Sequence, residues 1–168
     1  MSPEIAQLVA ILDQAYNKPS WHGTNLRGSL RRVSPAEAAW RLSAQRHNIW
    51  EIVVHAAYWK YAVTRRFTDG ARGSFPLKGS NWFRRPSTNA RDEKAWKADL
   101  QLLDDTHEAL RASAMRLSAN DLPTIPAGKK VSNFALLSGA AAHDLYHAGQ
   151  IQLLKRLIPG RPQHSAVV

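Results

Sequence analysis

Four stretches of the chain repeat apolar residues at intervals of three and four, and no stretch alternates apolar with polar long enough to make a strand. That periodicity commits the chain to helices that bury one face each. In SPEIAQLVAILDQAYNK, Ser2 caps, Pro3 takes the first helical position, and Ile5, Leu8, Val9 and Leu12 form the stripe. In HNIWEIVVHAAYWKYAVTRRF, Asn48 caps and Glu51 sits three residues on, the spacing of a capping box; this helix is expected to end near Asp69-Gly70. ARDEKAWKADLQLLDDTHEALRASAMRLS lines up Trp96, Leu100, Leu103, His107 and Leu110. The last long helix is expected from about Asn133 to Ile158, stopped by Pro159-Gly160. Two short helices, around TNLRGSLRRV and from SPAEAAWRLS with Ser34 and Glu37 as a capping box, fill the first connection.

Residues 70 to 90 are rich in Gly, Pro, Ser and Asn and read as a long crossover that also rims a site. The expected fold class is all-α, a four-helix bundle with short additional helices, formed by residues 1–168 as a single domain. No cysteine is present among the 168 residues, which excludes disulfides, thiolate metal ligands and a Cys nucleophile. Any metal must be held by His, Asp or Glu. The absence of a signal-like N-terminus or a membrane-length apolar run leads to the expectation of a cytoplasmic protein with no membrane partner.

Into this helical frame the segment AAHDLYHAGQI sets two histidines four residues apart. At 100° per residue His143 and His147 lie about 40° apart, with Gln150 and Leu154 on the same side, and the opposite side carries Gln152 and Arg156. The histidine side is therefore expected to face the interior. On the second long helix His55 projects with Ile52, Trp59 and Ala62, so three imidazoles on two inward faces can converge. Three neutral imidazoles at about 2.0 to 2.1 Å hold a divalent ion and leave an open position for water or substrate. The alternative is a set of hydrogen-bonded core histidines, since a His pair at this spacing also arises by chance among seven histidines.

The strings WHGTNLRGSL, HNIWEIVVHAAYW and HDLYHAGQIQLLKR, in this order and at this separation, resemble the DinB/YfiT-like superfamily of metal-dependent enzymes over nearly the whole chain. That resemblance implies a four-helix bundle binding one divalent ion, zinc or nickel, through a histidine of the second helix and a His-x3-His-x2-Gln segment of the fourth. These map onto His55, His143, His147 and Gln150. It also implies a homodimer and, by analogy with characterised relatives, a small-molecule substrate such as a low-molecular-weight thiol in a transferase or hydrolase reaction. The resemblance fixes the site better than the chemistry, and no residue stands out as a general base.

Several residues admit two roles. Glu51 is a cap or an acceptor for His55, with the cap preferred. Gln150 orients water or a ligand, or bonds within the bundle. His22 lines the pocket mouth or occupies a turn. Asp144 projects about 100° from His143 and is not counted as a ligand, and His47, His107 and His164 have no evident partner.

The formal charge of +10 keeps open a different class, a basic nucleic-acid-binding helical module displaying Arg27, Arg31, Arg32, Arg84 and Arg85. NWFRRP could stack on bases, bind an anionic substrate near the metal, or simply anchor a loop through Trp82 and Phe83 with its arginines solvated. A third class is a non-catalytic metal- or ligand-binding dimer. Phe134, Ala141, Leu145 and Ala148 make a second apolar stripe on the last helix that needs a cover from a loop, a helix or a second subunit.

Overall fold

Helix caps written into the sequence set where most of the elements begin. A computed structural model describes residues 1–67, 74–86, 89–125 and 130–161. Its helices are α1 (Pro3–Tyr16), α2 (Leu26–Ser29), α3 (Pro35–Ala39), α4 (Ile49–Thr64), α5 (Glu93–Met115) and α6 (Asn133–Leu157), with a 3-10 turn at Ala119–Asp121. No strand occurs among the described residues. Asn48 and Glu51 form a complete capping box at α4, as Ser34 and Glu37 do at α3. Asp92 caps α5 and Ser132 caps α6, each accepting a hydrogen bond from the third helical amide.

The four long helices form the bundle, with α4 packed on α5 and α6, and α1 packed on the same two from the other side. Two apolar clusters fill it. One gathers Trp50, Val53 and Val54 of α4 with Trp96, Leu103 and Ile151; the other joins Ile5, Val9 and Leu12 of α1 to Val63, Leu110, Leu137 and Ala141. Of the expected α5 stripe, Trp96, Leu103, His107 and Leu110 are buried, and Leu100 is half-buried.

Two expectations need correction. Helix α4 stops at Thr64 rather than near Asp69-Gly70, because the backbone tightens there. Arg66 N–H bonds to Val63 O and Phe67 N–H to Thr64 O, an i to i+3 pattern that ends the α ladder. Residues 68–70 lie outside the described residues. Helix α6 is also rotated from its expected setting. Its buried arc runs from Leu136 and His147 through Asp144, Ile151 and Leu137 to Ala148 and Ala141, so His147 is buried as expected and half-buried His143 sits at the margin. The second apolar stripe is thus covered by the chain itself: Ala141 and Leu145 join the α1 cluster and Ala148 is buried, while Phe134 stays exposed. The projection missed this because α6 is apolar over most of its circumference, and a helix of that kind does not declare its inner face.

Candidate metal centre

His55 stands at the middle of α4, and His143 and His147 stand one turn apart on α6, so the packing of α4 on α6 brings all three together. Each offers one ring nitrogen within 4.8 Å of the other two. His55 Nε2 lies 3.2 Å from His143 Nε2, and His147 Nε2 lies 3.0 Å from the same atom. Ligands at tetrahedral angles about a zinc-sized ion sit about 3.3 Å apart, so small shifts bring these nitrogens into register.

The partners of the far nitrogens fix which form each ring takes. His55 Nδ1 lies 2.8 Å from Asn81 O, and a carbonyl only accepts, so Nδ1 carries the proton and Nε2 presents a lone pair. His147 Nδ1 lies 2.7 Å from Gln150 Oε1, with the same consequence. Two lone pairs are therefore aimed at His143 Nε2. One proton there satisfies only one of them, whereas a divalent cation accepts all three nitrogens, so the donor set fits a metal ion.

Electrostatics agree. Burial holds His143 down to about 3, helped by its two imidazole neighbours, and holds His147 down to about 4 against the opposing pull of its bond to Gln150. Burial likewise lowers His55, although the bond to Asn81 favours its charged form. Neutral imidazole is the form that ligates.

Two residues of the NWFRRP segment hold this geometry, in a role the sequence did not assign them. Trp82 stacks on His55 with ring centres 3.8 Å apart and planes 9° from parallel, and its other face stacks on His47 at 3.6 Å and 3°. Asn81, with φ of 66°, gives its carbonyl to His55 while its side-chain oxygen accepts from Trp59 Nε1 at 2.9 Å. Asn is one of the few side chains that tolerate that backbone region, which is the one local signal available. Both residues come from the long connection, which therefore rims the site as expected.

The remaining candidates separate clearly. Glu51 serves as the cap and does not touch His55: Arg41 donates to it at 3.0 and 2.6 Å, His47 Nδ1 lies at 3.0 Å, and Arg85 N–H reaches it at 3.4 Å. Burial raises its pKa, but those bonds outweigh burial and hold the carboxyl below its usual range. Gln150 bonds within the bundle, and does so to a site histidine. His22 occupies an exposed turn. His107 is fully buried, stacked on Tyr16 at 3.8 Å with its Nδ1 3.5 Å from Lys60 Nζ, and His164 lies outside the described residues. Asp144 is no histidine partner; it is buried and accepts from Lys60. A lone Lys in the apolar run of α4 and a lone Asp in that of α6 were the available signs of this pair.

The proposed basic surface is partly spent internally. Arg27 forms an ion pair with Asp104 at 2.9 Å, and Arg85 with Asp99 at 2.7 Å. In NWFRRP, Phe83 is buried in the core and Trp82 belongs to the histidine site. No helix among the described residues is long and apolar enough to cross a membrane.

No curated protein and no solved structure matches the chain. The sequence profile of the DinB superfamily matches residues 20–151. That span starts ahead of α2 and takes in all three histidines, and with the helical bundle around them it shows that the chain belongs to the DinB superfamily.

Proposed function

We propose that the protein is a metal-dependent enzyme in which His55, His143 and His147 hold one divalent ion, zinc or nickel, and in which a small molecule reaches the remaining coordination position. The observation that carries this reading is the aim of two fixed lone pairs, from His55 and His147, at the Nε2 of His143. The ion would supply Lewis acidity at that position. The chain supplies orientation: Asn81 and Gln150 fix the two outer rings, and Trp82 covers one face of His55.

The neighbouring carboxylates each carry a cationic partner, Glu51 with Arg41 and Asp144 with Lys60 through Oδ2, so neither is a strong free base. This favours a substrate that gives up its own proton readily, such as a low-molecular-weight thiol in a transfer reaction, over one that needs a strong side-chain base. Hydrolysis is the alternative reaction class. A homodimer is part of the proposal, supported by Tyr146, Leu153 and Leu157, large apolar side chains left exposed along α6. The test is metal content. Protein purified without an affinity tag and reloaded with zinc or nickel is expected to hold one ion per chain, and His147→Ala to lose it. Absence of a stoichiometric ion, or its retention by His147→Ala, overturns the reading.

A further inference from the structure

A pocket of about 200 Å³ lies between α4 and α6, bordered by His143 on the side of the imidazole cluster. Its walls are mostly apolar, with Trp59 and Val63 from α4 and Leu136 and Ala140 from α6. Its polar lining is what makes it unusual. Lys60 and Asp144, 2% and 1% exposed, both line it. Lys60 Nζ donates to Asp144 Oδ2, while the buried Oδ1 of the same carboxylate has no hydrogen-bond partner among the described residues. A buried carboxylate oxygen without a donor is costly, so a ligand that brings one gains what the protein has left unmade.

The chemistry of that donor can be narrowed. A carboxylate only accepts, so the ligand must donate. Lys60 and Arg66 already bring two cationic side chains to the one carboxylate lining the pocket, so an added ammonium meets net repulsion and a neutral hydroxyl does not. At about 30 Å³ for each heavy atom of a liquid, the volume accommodates roughly six or seven of them.

We propose that this pocket is a subsite for the second reactant, beside the coordination position that a thiol would take, and that it holds a small, mainly apolar alcohol whose hydroxyl donates to Asp144 Oδ1 while its hydrocarbon lies along Val63, Leu136 and Ala140. Its role as a substrate subsite rests on the metal-enzyme reading, because His143 is shared between the two. Its binding chemistry does not, because Asp144, Lys60 and the apolar walls stand without the ion.

The test compares two isomers, 1-hexanol, which carries the donor, and di-n-propyl ether, which lacks it. Each is titrated into the full-length protein, zinc-loaded and metal-free, while the Trp59 indole and Gly139 amide resonances are followed by NMR. The hydrogen bond to a charged acceptor predicts about tenfold tighter binding of the alcohol. A Cβ added at Gly139, which lines the pocket, meets no atom within 4 Å, so Gly139→Leu is expected to fill the pocket and abolish the shifts while the protein stays folded. Asp144→Asn is expected to erase the preference between isomers. Because that change also strips Lys60 of its anion, Gly139→Leu decides if the Asn variant does not fold. Equal affinity for the two isomers, or shifts that persist in Gly139→Leu, overturns the proposal. Tight alcohol binding by a protein that holds no stoichiometric zinc would sink the metal reading alone, and zinc binding with no alcohol preference would sink the pocket alone.

Discussion

At the scale of single residues, the histidine site depends on groups that never touch the proposed ion. Gln150 holds His147 in the form that presents Nε2, as Asn81 holds His55. Loss of such an orienting bond costs about 10- to 100-fold in metal affinity in comparable sites. Gln150→Ala is therefore expected to weaken zinc binding by that factor in a chelator competition, with the fold unchanged; an unaltered affinity would assign Gln150 a bundle role only. Protonation gives a second expectation. His107, His143 and His147 are held well below the ordinary 6.5, at about 3, 3 and 4, so the unfolded chain takes up their protons first. For metal-free protein this stability is fully present above pH 6.5 and is lost as pH falls toward the folded values, steepening to about 1.4 kcal/mol per pH unit for each imidazole. Urea unfolding between pH 7.5 and 5 checks it, and a flat profile would mean that these rings are not buried neutral. The paired histidines were legible in the sequence through their i, i+4 spacing. The roles of Trp82, readable only as a loop anchor or a stacking ring, and of Asn81 at the histidines were not, because they lie in a connection with no periodicity, where neither the stacking partner nor a backbone carbonyl leaves a pattern.

Among the elements, start positions and the inner faces of α1 and α5 were readable, and the rotation of α6 was not. Asn48 and Ser34 carry side chains whose hydrogen bonds are local, so three or four residues of sequence determine them. The setting of α6 depends on what α1 and α4 present to it, and an apolar circumference gives no local vote. The end of α4 likewise follows from tightened turns after Thr64. Two substitutions test the element energetics. Asn48→Ala removes the α4 cap and the bonds that Asn48 Nδ2 donates to Ala39 O and Arg85 O, and is expected to cost about 1–2 kcal/mol in denaturant unfolding. Gly149 is exposed within α6 and a Cβ there meets nothing within 4 Å, so Gly149→Ala is expected to stabilise the folded chain by up to about 1 kcal/mol. Destabilisation instead would show that this face is packed against something, a second copy being the first candidate.

Across the whole molecule, a line of polar groups crosses the bundle beside the histidine cluster, running from half-buried Arg27 and Asp104 to buried Lys60 and Asp144. Arg27 pairs with Asp104, which accepts from Tyr16; Tyr16 stacks on His107, and Lys60 lies next to His107 and pairs with Asp144. Buried ion pairs add little net stability but are expensive to break on one side. Lys60→Met alone is expected to cost about 3–5 kcal/mol, and the double change Lys60→Met with Asp144→Leu to recover most of it. If the double variant is no more stable than the single one, the pair is worth more than its desolvation. The ion pairs leave the net charge of +10 as it is, since each joins one cation to one anion, but they take Arg27 and Arg85 out of the set of arginines offered to an outside partner.

The central claim, that three imidazoles from two helices hold one ion, is tested most directly by X-ray absorption at the zinc edge on zinc-loaded protein. Three imidazole nitrogens are expected at about 2.0 to 2.1 Å, and fewer in His147→Ala. A first shell of oxygen alone, or a spectrum unchanged by that substitution, would contradict it.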